Sequence, residues 1–159
     1  MNPFVNYIKR KLKVLLLRAL KPLVDDISIC TYRVYGSKDR LCISPNSKVA
    51  NSLFNTFSGN ITVGDFAFTG HNVSFLTGTH DYLLVGKKRM NDIPTSGRDI
   101  IIREGAWIGS NAIILGPCEI GKNSVVAAGS IVVSDIPPST LVGGCPAKVI
   151  KKIHHEEKH

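Results

Sequence analysis

An imidazole is the side chain best suited to take up a proton at neutral pH, because its ordinary pKa near 6.5 leaves a neutral base available there. Two histidines fall within the apolar, glycine-punctuated middle of the chain, His71 and His80. His80 stands in Thr79-His80-Asp81, where a regular pattern gives way to the irregular run DYLLVGKKRMNDIPTSGRD of residues 81–99. A long connector of that kind is usually functional, which favours His80 as a general base toward an attacking hydroxyl. Asp81 is a candidate to orient the ring, a task that a backbone carbonyl serves equally. His71 lies inside the regular pattern, and a structural or turn-capping role is the expectation for it.

Nucleophilic chemistry has less support. No GxSxG elbow occurs, and Cys118 and Cys145 have no histidine nearby in sequence. The four cysteines, Cys30, Cys42, Cys118 and Cys145, form no CxxC pair and show no metal-ligand spacing, so reduced structural thiols and no metal are expected.

The elements that must carry these residues announce themselves by a repeat. Aliphatic side chains recur at every sixth position, at Ile102, Ile108, Ile114, Ile120, Val126 and Val132. Four residues after the first five of these come the small residues Ala106, Ala112, Cys118, Ser124 and Ser130. A weaker version runs through Ile43 and Val49, then, after a phase shift, Val63, Thr69 and Phe75, with Ala67 and Val73 four on from the first two. Neither a helical period nor simple alternation gives a strict six with a small residue at fixed offset. The pattern predicts an all-β solenoid in which the aliphatic residue fills a narrow lumen and the small one fits a corner. Such coils stabilise one another, since each covers its neighbour's strand edges.

Length and composition bound the rest. A chain of 159 residues fits one domain, and 43% hydrophobic with 20% charged residues excludes global disorder. Of the net charge of +8, residues 1–24 carry +6 with no acid, so the body is nearly neutral and a nucleic-acid-binding surface is not expected. In that arm Phe4, Ile8, Leu12, Leu15, Ala19 and Leu23 form a stripe at three- and four-residue steps, which predicts an amphipathic helix ending near Pro22. Flanking cations suit an anionic membrane surface, while Leu16, Leu17 and Leu20 broaden the face enough to suit packing in an assembly. No run is long enough to span a bilayer and no signal-peptide cleavage pattern follows Leu15–Leu17, so the expected location is cytoplasmic, with peripheral contact at the inner face of the membrane.

The hexads IREGAW, IGSNAI, ILGPCE, IGKNSV, VAAGSI and VVSDIP, followed by GGCPAKVI, resemble the hexapeptide-repeat acyltransferases over roughly residues 41–152. The earlier stretch SGNITVGDFAFTGHNVSFLTGTHDY is similar to the branch of maltose, galactoside and cell-surface polysaccharide O-acetyltransferases. The resemblance implies a left-handed parallel β-helix assembled as a homotrimer. It further implies acetyl-coenzyme A as cosubstrate, a sugar or saccharide hydroxyl in surface polysaccharide synthesis as acceptor, and His80 as general base. The positions matching the family's coenzyme contacts are Trp107, Ser110, Ala127, Ala128, Gly129 and Lys148, with Lys151 a further cation for phosphate and Asn55 an acceptor-binding residue. The implied layout is a basic helix over residues 1–24, the β-helix over 25–152 with an excursion at 81–99, and a polar tail over 153–159.

Two departures from the family stand out: Cys145 replaces the usual asparagine before Pro146, and the segment Ser52–Gly59 is short. Acetylation of an amino sugar on a nucleotide carrier is the alternative reading. Many such enzymes carry an extra nucleotide-binding domain ahead of the coils, and the residues here are too few for one, which favours an O-linked acceptor. A zinc carbonic anhydrase of this fold would need three histidines, and a non-catalytic scaffold would need neither His80 nor the coenzyme-contact stretches.

Overall fold

A computed structural model describes residues 11–12, 14–16, 19–20 and 31–154. Its strands, in chain order, are β1 (Arg33–Tyr35), β2 (Leu41–Ile43), β3 (Leu53–Asn55), β4 (Ile61–Val63), β5 (Phe68–Thr69), β6 (Ser74–Leu76), β7 (Ile100–Ile102), β8 (Trp107–Ile108), β9 (Ile113–Leu115), β10 (Cys118–Ile120), β11 (Val125–Val126), β12 (Ile131–Val132), β13 (Thr140–Gly144) and β14 (Ala147–Lys152). They stack into three sheets: β1-β3-β6-β9-β12 on side A, β2-β4-β7-β10 on side B, and β5-β8-β11-β13-β14 on side C. The chain visits the sides in turn, and every pairing is parallel except that of β13 with β14.

The sixfold pattern is the reason for this three-sided shape. All six aliphatic positions from Ile102 to Val132 are at most 2% exposed, and they point into the lumen. They stack by side: Ile102 on Ile120 in B, Ile108 on Val126 in C, and Ile114 on Val132 in A. The side A row continues upward through Phe75 and Phe54, whose rings stack at 4.8 Å. The five small residues are likewise buried, between 0 and 5% exposed.

Four of the five small residues follow a corner residue with positive φ where the chain turns: Gly105 before Ala106, Asn111 before Ala112, Asn123 before Ser124, and Gly129 before Ser130. Glycine has no Cβ to clash in that region, and asparagine tolerates it better than most residues. At the corresponding corner before Cys118 the chain instead places a cis peptide between Gly116 and Pro117.

Two features depart from the sequence reading. The run 81–99 is not wholly irregular, since it contains a short helix, Gly86–Asn91, that buries none of its residues and has no side-chain N-cap. The parallel order also stops at β13. After the turn Gly144-Cys145-Pro146, β14 folds back antiparallel on it, with an irregularity at Leu141/Val142. That hairpin covers the last coil's open edge, which a further parallel coil would otherwise have to do.

In the amino-terminal arm, Lys11, Leu12, Val14, Leu15, Leu16, Ala19 and Leu20 are helical, with the leucines exposed. The stripe members Phe4, Ile8 and Leu23, and the tail beyond residue 154, lie outside the described residues. Among the described residues, no helix is long and apolar enough to cross a membrane.

Ile114, fully buried between Phe75 and Val132, tests the lumen packing. Ile114→Ala should destabilise the fold by about 2–5 kcal/mol, the range for truncating a core aliphatic side chain. Urea unfolding followed by circular dichroism measures it, and a loss below about 0.5 kcal/mol would mean the lumen is not tightly packed.

Candidate active site

The excursion leaves the coil at the corner between sides A and B. Register places Asn55, at the end of β3, beside Leu76 at the end of β6. Thr77 then ties the two coils together: its N–H (3.0 Å) and Oγ1 (2.7 Å) both donate to the Asn55 carbonyl. A Cβ on Gly78 would come within 2.6–2.9 Å of the Asn55 side-chain amide, so a larger residue there would displace that amide. Asn55 Oδ1 accepts the Phe57 N–H at 3.1 Å, which leaves its Nδ2–H groups as donors. Tyr35 and Phe57 meet edge to face at 5.1 Å. With Gly78, Thr79, His80 and Ile93, these residues line a cavity of about 320 Å³.

His80 is exposed on this cavity, and its Nδ1 lies 2.7 Å from the carbonyl oxygen of Arg89. A carbonyl can only accept, so Nδ1 carries the proton in this bond, and in the neutral ring the lone pair is then on Nε2. Of the two ring-orienting groups the sequence left open, the structure places the backbone carbonyl on the ring. The Asp81 carboxylate instead accepts the Leu83 N–H at 2.9 Å, bracing the start of the excursion.

The positions that match coenzyme contacts gather elsewhere, at the corner between sides C and A. His71, Ser110 and Gly129 sit one above another in consecutive coils: the His71 N–H donates to Ser110 Oγ (3.1 Å), the Asn111 N–H to the His71 carbonyl (2.9 Å), and the Gly129 N–H to the Ser110 carbonyl (2.9 Å). His71 thus serves this corner through its backbone. A Cβ on Gly109 would lie 2.5 Å from the Ala128 nitrogen, so the coils touch here without side chains between them. Ala128 and Gly129 are exposed, while the amides of Ser110 and Ala128 stay outside the coil-to-coil backbone ladder. Trp107 lies on the outer face of side C, its ring stacked on Phe68 at 5.7 Å. Lys148 and Lys151 are exposed on β14, with Lys148 paired to Gly143, whose position adjoins Ala127.

The structure therefore brings His80 together with Asn55, and Ser110 with Ala128 and Gly129, but puts the two groups at different corners of the chain. Tyr35, Phe57, Ile93 and Arg89 escaped the sequence reading. Tyr35 and Phe57 precede the strict repeat, and Ile93 and Arg89 lie in the patternless run; Tyr35, Phe57 and Ile93 are linked by the cavity and Arg89 by its carbonyl on His80, not by spacing.

The thiol of Cys118 is pushed up to about 12, by burial first and by nearby Asp135 second. It stays protonated at neutral pH and is a poor nucleophile. Among the described residues, no three His, Cys, Asp or Glu side chains form a group that could hold a metal.

Comparison with known proteins agrees with this architecture. The family pattern described as bacterial transferase hexapeptide (six repeats) matches residues 99–134. A maltose O-acetyltransferase structure from Clostridium difficile is 31% identical with a TM-score of 0.55, the match covering 79% of this chain and 68% of that one. A hexapeptide-repeat acetyltransferase of Vibrio cholerae, solved with acetyl-coenzyme A, is 28% identical with a TM-score of 0.54, covering 78% of this chain and 72% of that one. A 2,3,4,5-tetrahydropyridine-2,6-dicarboxylate N-acetyltransferase of Clostridium perfringens is 49% identical over 65 residues, which are 41% of this chain and 28% of that protein. The chain spans less than two thirds of the length of the curated relatives it matches. Repeat, corner chemistry and shared fold together lead to one conclusion: the chain belongs to the hexapeptide-repeat acyltransferases, with their left-handed parallel β-helix.

Proposed function

We propose that the protein transfers an acetyl group from acetyl-coenzyme A to a sugar hydroxyl, in the building of a surface polysaccharide, with His80 as general base. The observation that carries this reading is the bond from His80 Nδ1 to the Arg89 carbonyl, which leaves Nε2 as the basic atom of a ring that lines an open cavity. As the acceptor oxygen bonds to the thioester carbon, its proton passes to Nε2. When the carbon–sulfur bond breaks, the same proton goes to the departing thiolate, giving an acetyl ester and free coenzyme A. The amides of Ser110 and Ala128, outside the coil ladder, are the donors offered to the oxyanion formed between these events.

The corner at Ser110, Ala128 and Gly129 fits an extended pantetheine arm, since Ala128 and Gly129 are exposed and a Cβ at Gly129 would meet no atom within 4 Å. Lys148 and Lys151 supply cations for the phosphates, and Trp107 offers an exposed ring on the same sheet, three strands from β14. For the acceptor, Tyr35 and Phe57 offer apolar faces and Asn55 Nδ2 a donor. None of the cavity-lining residues is a carboxylate, which favours a neutral hydroxyl over the ammonium group of an amino sugar. N-acetylation remains the second reading because of the Clostridium perfringens relative.

A homotrimer is part of the proposal. His80 and Ser110 stand at different corners, so one copy's base has to meet another copy's coenzyme corner. The outer face of side A, with Leu53, Leu76, Ile113, Leu115, Ile131 and Val133 alternating with the lumen residues, is apolar enough to be covered by a second copy. The basic arm, with exposed Leu12, Leu15 and Leu20, is assigned to the cytoplasmic face of an anionic membrane.

His80→Ala should lower turnover by about 10²–10⁴-fold with little change in coenzyme binding, measured by thiol release with acceptors found in a screen of sugars, nucleotide sugars and lipid-linked saccharides. A folded variant keeping more than about a tenth of the parent turnover would exclude the role. Ala128→Trp should raise the KM for acetyl-coenzyme A or abolish activity; unchanged kinetics in a folded protein would move the coenzyme site away from this corner. A chain beginning at Asp25 should lose binding to anionic vesicles and keep its oligomeric state. Dissociation on truncation would instead assign the arm to the assembly.

A further inference from the structure

The orientation of His80 depends on one carbonyl, and that carbonyl belongs to a segment with little to hold it. The helix Gly86–Asn91 buries no residue and lacks a side-chain N-cap; its C-terminal end is closed by the Asp92 N–H to the Lys88 carbonyl (2.8 Å), but neither core packing nor a side-chain cap fastens it to the rest of the protein. The Arg89 side chain does what these do not. Its Nη2 donates to the Tyr82 carbonyl at 2.9 Å, and its Nε donates to the Leu84 carbonyl. Both acceptors lie just after His80, in the stretch that Asp81 also braces through the Leu83 N–H and, by its carbonyl, the Leu84 N–H (3.2 Å). Arg89 therefore closes the excursion on itself twice, by its guanidinium onto residues 82 and 84 and by its carbonyl onto residue 80. A guanidinium suits the task because its donors are held in a rigid plane and can reach two carbonyls at once, which an ammonium on a flexible stem does not do in one geometry.

We propose that Arg89 is a positioning residue: by fastening the excursion to the Tyr82 and Leu84 carbonyls it holds its own carbonyl on His80 Nδ1, and so keeps the ring in the tautomer whose basic atom is Nε2. The value of that tautomer to the reaction rests on the reading of His80 as general base; the linkage between Arg89 and the ring does not.

The test reads the tautomer directly. The full chain is labelled with nitrogen-15 at histidine, and long-range proton–nitrogen spectra are recorded at a pH of about 9, where an imidazole is neutral. His80→Gln identifies the His80 signals by their loss. The parent is expected to show the Nδ1–H form at His80, and Arg89→Met to lose it in favour of a mixture or of the Nε2–H form, with the His71 signals unmoved. Arg89→Gln, too short to reach both carbonyls, is expected to do the same and serves if the methionine variant does not fold by circular dichroism. A parent ring in the Nε2–H form, or a folded variant at Arg89 that keeps the parent tautomer, overturns the proposal. Turnover of His80→Ala separates the two ideas: if that variant stays active while the tautomer follows Arg89, the general-base reading fails and the linkage stands.

Discussion

Adjacent corners in this β-helix have to come within hydrogen-bond reach of one another, and that spacing limits what a corner can contain. The Gly109 N–H donates to the Val126 carbonyl and the Gly121 N–H to the Ile136 carbonyl, both at 2.8 Å. With Cβ atoms added, Gly109 would strike Ala128, and Gly121 would strike Pro138 at 2.4 Å. The lumen imposes a matching limit from inside, where only small residues such as Ala112 and Ser124 fit behind the turn. Positive φ at the preceding position adds the preference for glycine and asparagine. Phe66 and Ser139 are the exceptions, at φ +57 and +50; Phe66 is 64% exposed, and a bulky residue there costs about 1–2 kcal/mol relative to a right-handed conformation.

A scaffold so constrained has few places where chemistry can be added, and the corners differ in what they offer. At the corner between C and A the coils remain in strict register, so the surface offered there is backbone and small side chains, with Ser110 and Ala128 keeping amides outside the ladder. Between A and B the chain can leave and return, because β6 and β7 keep their places in separate sheets whatever connects them. The connection is held mainly by arginines bonded to backbone carbonyls. Arg98 donates to the Thr77 carbonyl at 2.9 Å, Arg40 to the Phe57 and Thr95 carbonyls at 3.0 and 2.8 Å, and Arg89 to those of Tyr82 and Leu84. Bonds from charged donors to carbonyls are stronger than neutral ones, which suits a segment that contributes nothing to the core.

What could be read from the residues follows the same division. Ile102 through Val132 announced the lumen because the coil repeats its environment at fixed spacing, and the small-residue column did the same for the corners. The asparagines before that column, Asn111 and Asn123, take the left-handed turn but were not part of the sequence reading, because only two of the five corners carry one. His80 was legible as the polar residue at which periodicity stops. The partner that orients it was not, because Arg89 acts through its backbone carbonyl, and a carbonyl has no residue type. The helix Gly86–Asn91 lacks a side-chain N-cap and a buried apolar face, so nothing in its composition marks it. The antiparallel β14 was hidden for the opposite reason: Ala147 to Lys152 could serve as a strand in either direction, and only the Gly144-Cys145-Pro146 turn reverses it.

The chemistry proposed here asks little of the protein beyond placement, and the buried thiol explains why a simpler route suffices. Cys118 occupies a small-residue corner, where burial holds it protonated, so a covalent acyl-enzyme at that position would first require ionising a thiol whose pKa is raised to about 12. A direct attack by the acceptor avoids that cost and needs one base and one or two fixed donors. The fold can provide both without any side chain inside the lumen changing its state. In the proposed reaction the base comes from the start of a segment outside the repeat, where residue types are free, and the donors from corner amides that the coil ladder does not use. On this reading acceptor specificity is adjustable through Tyr35, Phe57 and Ile93 around the excursion, while the coenzyme corner is fixed by the same close approach that keeps the coils together.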